Sequence, residues 1–135
     1  MITFLTIQFF SKKEESIRED IIENNENYTK LITDIKSFNF NDKYGKLINI
    51  SDLPTNIKTD ISNLKYGGEA RYLIIFKDSS STHCNLEIGL GGNWYIQYSD
   101  TPNDMPKPGS YEKTEFIEIW GVNKNWSITY DSDFI

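Results

Sequence analysis

Apolar residues change their spacing along this chain, and each change predicts a different element. The opening run, Met1-Ile-Thr-Phe-Leu-Thr-Ile-Gln-Phe-Phe10, is rich in β-branched and aromatic residues and predicts a strand. Lys12 and Lys13 follow this run instead of preceding it, and no small-residue cleavage site ends it, so it does not read as a secretory signal. From Ser11 to about Phe38 the period becomes helical, with Ile17, Ile21, Tyr28, Ile32 and Ile35 on one stripe. Ser11 and Glu14 have the spacing of a capping box, in which each side chain satisfies an orphan amide of the first turn. Glu14 with Arg18, and Glu26 with Lys30, stand four residues apart in the favourable orientation. The Asn24-Asn25 step interrupts the stripe and marks where this helix bends or splits.

Residues 39–69 have no dominant period. Lys46–Ile50 predicts a short strand, Leu53-Pro54 opens a turn or short helical segment, and Lys65-Tyr-Gly-Gly68 punctuates the chain. From Ala70 the period becomes two. Tyr72–Phe76 is apolar on both parities, as in a central strand covered on both sides. Cys84, Leu86, Ile88 and Leu90 alternate with Asn85, Glu87 and Gly89; Gly91-Gly92-Asn93 has hairpin-turn chemistry; Trp94, Ile96 and Tyr98 then alternate with Tyr95 and Gln97. Pro102, Pro106, Pro108 and Gly109 mark residues 101–113 as a loop, and Glu115–Trp120 with Trp126–Tyr130 form a second hairpin around Gly121–Asn125. The expected architecture is α+β: an N-terminal strand and a long helix packed on an antiparallel β-meander of about five to six strands. No repeat or low-complexity linker divides the chain, which predicts a single domain over residues 1–135.

Composition narrows the function more than the fold. The net charge of −6 argues against direct nucleic-acid binding, which rests on neutralising phosphates with Lys and Arg. A chain of 135 residues buries roughly two-thirds of its unfolded surface, so its core needs no disulfide or metal. The single cysteine forms no internal disulfide, which excludes small secreted scaffolds and favours a reducing, cytoplasmic compartment. No window reaches the roughly 20 apolar residues of a bilayer span.

Catalytic equipment is sparse. Gly89-Leu-Gly-Gly92 resembles a phosphate-cradling loop, but Trp94–Tyr98 continues as a strand where such a loop must open a helix. His83 and Cys84 are the only base–thiol pair, and strand neighbours point to opposite faces. Zinc would need carboxylates to complete a site around one His and one Cys. Asp100, Asp104, Asp131 and Asp133 attract calcium only as an incomplete ligand pattern, and no spacing selects a carboxylate pair for sugar cleavage. The expectation is no enzyme, no catalytic residue, no cofactor and no metal site.

Association is the better-supported chemistry. If Leu86, Ile88, Trp94, Ile96, Ile117 and Ile119 face the helix, alternation places Glu87, Tyr95, Gln97, Phe116, Glu118 and Trp120 on the opposite face. A one-residue slip in the last hairpin exchanges Ile117 and Ile119 with Phe116 and Trp120. Aromatic anchors among polar groups are the composition of association surfaces. Trp120, Tyr95 and Phe116 are the expected anchors, and Glu87, Glu118, Asp100 and Asp104 the groups that complement positive charge on a partner. Glu112, Glu115, Asp131 and Asp133 add acids on nearby loops and strand ends.

The β-half, Tyr72-Leu-Ile-Ile-Phe76 followed by Asn85-Leu-Glu-Ile-Gly-Leu-Gly-Gly-Asn-Trp-Tyr-Ile-Gln-Tyr98, resembles the Imm1-type immunity proteins of bacterial polymorphic and contact-dependent toxin systems. The resemblance covers residues 70–100 and the order of a helical region before the strands. It implies a small cytosolic protein that binds and blocks a cognate toxin domain, often a nuclease or deaminase. It transfers no active-site residue. The implied partner is a protein, with no membrane and no direct nucleic acid; exposed aromatics equally suit a homodimer. Two other readings stand beside it: a phage or mobile-element adaptor or nucleic-acid mimic whose acids imitate phosphate spacing, and a small ligand-binding domain or enzyme using the concave side of a curved sheet.

Overall fold

In the computed structural model of the protein, which describes residues 2–77 and 83–132 and the side chains from residue 12 onward, the chain begins in helix. Helix α1 spans Ile2–Glu23, so the expected N-terminal strand is corrected. Extending an existing helix by a residue costs far less than nucleating a new element, and β-propensity is the weaker, context-dependent preference. Ser11 therefore lies within α1 and not at its N-terminus, and Glu14 is buried with its carboxylate 2.7 Å from Arg18.

The helix divides at the asparagine step. Asn24 leaves helical geometry at φ −114°, ψ 37°, and α2 (Asn25–Lys36) follows. Ile17, Ile21, Tyr28, Ile32 and Ile35 are all buried, as their spacing predicts, and Leu31 joins them. Asp20 ties the corner together: it accepts from Tyr28 Oη at 2.6 Å, Asn24 Nδ2 at 2.7 Å and the Lys65 backbone N–H at 3.0 Å. The expected Glu26–Lys30 pair does not form. Lys30 turns to Asp34 at 2.7 Å and to the buried Asp60 at 3.1 Å instead, because Asp60 approaches on the neighbouring helix.

Strand β1 (Leu47–Asn49) lies inside the expected short strand, and α3 (Thr55–Ser62) starts immediately after Pro54, which cannot donate to a preceding turn. Then come β2 (Ala70–Lys77), β3 (Cys84–Leu90), β4 (Trp94–Ser99), β5 (Tyr111–Lys113), β6 (Ile117–Gly121) and β7 (Trp126–Asp131). Gly92 at φ 72° and Asn93 at φ 70° make the β3–β4 turn, a left-handed pair that this dipeptide tolerates.

Among the described residues the strands form one antiparallel sheet in the order β1-β2-β3-β4-β7-β6-β5. Seven strands replace the expected five to six, because β5 forms within the stretch that its prolines mark as loop. The coarser α+β class holds.

One side of the sheet carries the helices. Leu73, Ile75, Leu86, Ile88, Trp94, Ile96, Trp126 and Ile128 are buried there with the stripes of α1 and α2 and with Ile57 and Ile61 of α3. Each such side chain contributes about 1.5–3 kcal/mol by leaving water. The β2 strand is not covered on both sides: Leu73 and Ile75 are buried, whereas Phe76 on the other parity is 49% exposed.

Candidate functional site

Directly opposed residues of antiparallel strands share a face, so the register fixes what the helix-free side presents. One row crosses the whole sheet as Asn49, Tyr72, Gly89, Tyr95, Thr129, Ile119 and Glu112. The adjacent row holds Leu47, Ile74, Glu87, Gln97, Ser127 and Gly121. Asp131 and Ile117 face each other one step beyond, and Phe76, Asn85 and Ser99 lie one step the other way.

The middle of this face is a hydrogen-bonded polar ladder. Glu87 accepts from Tyr72 Oη at 3.2 Å through Oε2 and from Gln97 Nε2 at 3.2 Å through Oε1. Thr129 Oγ1 donates to Gln97 Oε1 at 3.0 Å, and Tyr95 stands in the same row as Tyr72, across Gly89. Burial first, then the Glu87 carboxylate, pushes the Tyr72 hydroxyl well above the ordinary tyrosine range. Burial likewise raises Tyr95, with Asp131 and Glu87 adding to the effect. Both hydroxyls therefore stay protonated at neutral pH, and Tyr72 serves Glu87 as a donor.

Apolar groups flank the ladder. Leu47 is 56% exposed and Ile74 half-buried on one side; Ile117 and Ile119 are half-buried on the other. The end near Ser99, Ser127 and Gly121 is closed by the 101–110 loop. Lys107 O comes so near Gly121 that a Cβ there would stand 2.0 Å away, and both serines are buried.

Of the residues singled out from sequence, Glu87, Tyr95 and Gln97 meet on this face. The others do not. Glu118 opposes Tyr130 and Trp120 opposes Ile128, so both lie on the helix-bearing side. Trp120 stacks on Trp94 with ring centroids 5.7 Å apart and contacts Tyr111 at 5.4 Å, while Glu118 accepts from Tyr111 Oη at 2.6 Å. Phe116 precedes β6, is 45% exposed, and offers its carbonyl to Ser132. The shared face proposed from alternation is thus corrected for the last hairpin, which is shifted by one residue so that Ile117 and Ile119 occupy the helix-free side.

Asp100 is engaged internally. It accepts from Lys36 at 2.8 Å, from the Cys84 backbone N–H at 2.8 Å and from the Tyr98 hydroxyl. Burial alone would raise its pKa, but these bonds outweigh it and hold the carboxyl below the ordinary range. Asp104 is exposed and borders a cleft of about 460 Å³ with Lys77, His83, Asn85 and Thr101. Asp133, like the serine run at 79–81, lies outside the described residues.

Tyr72, Gly89, Ile119 and Asp131 belong to the face but were not singled out as a group. For Tyr72 the signal is the double-parity apolar pattern of Tyr72–Phe76, which reads as full burial unless the strand's neighbours are known; Gly89, Ile119 and Asp131 are placed by register alone.

Cys84 points into the core, where burial and then Asp100 push the thiol up, away from the thiolate form. Among the described residues no three His, Cys, Asp or Glu side chains are grouped to hold a metal ion, and no helix is long and apolar enough to cross a membrane. No family model, curated protein or solved structure matches this chain.

Proposed function

We propose that this chain is an immunity-type inhibitor, a binding protein without catalytic activity of its own that neutralises a toxin domain by covering its active site or substrate-binding surface. One observation carries the reading. A seven-stranded sheet leaves one face without helices, and that face combines tyrosines, aliphatics and carboxylates in fixed positions. Such a surface offers rigid amphipathic anchors at low entropic cost, because the strands and the Glu87 ladder already hold them. The anchors are Tyr72, Tyr95 and Ile119, in place of Phe116 and Trp120. Glu87 keeps the role of complementing positive charge, and Asp131 takes the role first given to Glu118.

The test is co-production with the toxin domain encoded beside this gene. The expected result is restored growth and an equimolar complex on size-exclusion chromatography. Undiminished toxicity, or no toxin domain in that neighbourhood, overturns the reading.

A further inference from the structure

We infer that the partner surface docking on the helix-free sheet face is cationic, presenting arginine or lysine between apolar side chains. This rests on the binding reading above and specifies the partner's chemistry.

The charged strand residues in register on this face are Glu87, Asp131 and Glu112, all acids. Lysines of the neighbouring strands fall on the other parity, as Lys77 opposite Cys84 and Lys113 opposite Glu118 show. Arg71 sits at the β2 bulge with its guanidinium beside Gly91, beyond the ends of the rows. Glu87 is held by two neutral donors, Tyr72 and Gln97, so its charge is positioned without being neutralised by them. Each carboxylate oxygen retains a second acceptor site.

Geometry and charge select the occupant. From Leu47 on β1 to Ile119 on β6 there are five strand spacings, roughly 24 Å, the reach of a protein footprint and wider than a small molecule. A second copy of this chain would bring Glu87, Asp131 and Glu112 against their own kind, and nucleic acid would set phosphate against them. A guanidinium over the Glu87 ladder gains charge-assisted hydrogen bonds and the adjacent tyrosine rings, while Leu47, Ile74, Ile117 and Ile119 receive apolar neighbours.

The experiment titrates the isotopically labelled full chain, at low salt, with a decapeptide alternating arginine and leucine, and with its counterpart carrying glutamate for arginine. Amide shifts should concentrate at residues 72–76, 87–89, 95–97, 117–119 and 129–131 for the basic peptide only. The Glu87→Gln and Asp131→Asn double variant, with unchanged amide dispersion elsewhere, should bind at least tenfold more weakly. Shifts centred on Glu15, Glu19 and Glu23 of α1, or equal affinity in the double variant, overturn the inference. The two proposals separate in cells. If the double variant still neutralises the toxin at wild-type affinity, the charge inference fails and the inhibitor reading stands. If the wild type captures the basic peptide but leaves the toxin active, the inhibitor reading fails alone.

Discussion

Tyr72 fills the space that Gly89 leaves empty on the neighbouring strand. A Cβ on residue 89 would stand 2.2 Å from Tyr72 Cε1 and 2.3 Å from Cζ, so the glycine and the ring form one unit across β2 and β3. The ring is laid flat enough for its hydroxyl to reach Glu87, and its cover offsets the entropy that a strand glycine loses on folding. Gly89→Ala should expel the ring, cost about 1–3 kcal/mol as overpacking does, and free Glu87 from one donor. Urea denaturation measures the cost. In the Gly89→Ala, Tyr72→Ala double variant the destabilisation should fall short of the sum, because the clash is gone. Additive losses would show that the two residues are not coupled.

Trp120 is expected to serve stability before recognition. It stacks on the buried Trp94, and Trp94 in turn packs on Tyr130 with ring centroids 5.0 Å apart. Trp120→Ala removes the ring that stands between Trp94 and Tyr111 on the helix-bearing side, with a loss on the order of 2–4 kcal/mol. The measurement is the denaturation midpoint at unchanged slope. A variant of full stability with weakened partner binding would return Trp120 to the role that alternation first gave it.

Pattern alone revealed much of the core and less of the face. Ile17, Ile21, Tyr28, Ile32 and Ile35 are buried because a period near 3.6 leaves one stripe to bury, whatever the tertiary context. The β3 and β4 parities were legible for the same reason, with Gly92 and Asn93 fixing the turn between them. The β6 parity was not. Ile117, Ile119, Phe116 and Trp120 are all apolar, so hydropathy does not choose between two registers one residue apart. The choice is made by pairing, Trp120 opposite Ile128 and Gly121 opposite Ser127, and by the close passage of Lys107 over Gly121. Residues 2–10 misled in another way. Their β-branched content suggested a strand, but they are continuous with a helix whose stripe lies further on.

Asp100 should act as an acid-sensitive tie between α2 and the sheet. Its pKa is lower folded than unfolded, so the stability it contributes is fully present above the ordinary aspartate value and is lost as pH falls through the folded one. Asp100→Asn leaves Lys36 without its partner and weakens the bonds from Tyr98 and Cys84, at a cost of about 1–3 kcal/mol at neutral pH. Urea midpoints measured from neutral to strongly acidic pH should show the two proteins converging at the acid end. A pH-independent gap would mean that the carboxylate's charge is not what the tie uses.

Asp60 should show the opposite sign. Burial first, and then its hydrogen bond with Asp34, raise its pKa, while the same bond and Lys30 lower that of Asp34. Asp60 Oδ2 is buried with no hydrogen-bond partner, so the ionised form is poorly satisfied even with Lys30 at 3.1 Å. An acid that holds its proton more tightly folded than unfolded adds stability as pH falls through its raised value, and that contribution is complete below the ordinary aspartate range. Asp60→Asn mimics the protonated form at every pH and keeps Lys30 on Asp34. Its thermal midpoint at neutral pH should equal or exceed the wild type's, and the excess should shrink as the wild type gains its proton on the acid side of neutrality. A variant that is markedly less stable at neutral pH would show instead that the Lys30–Asp60 ion pair outweighs the desolvation of the buried carboxylate.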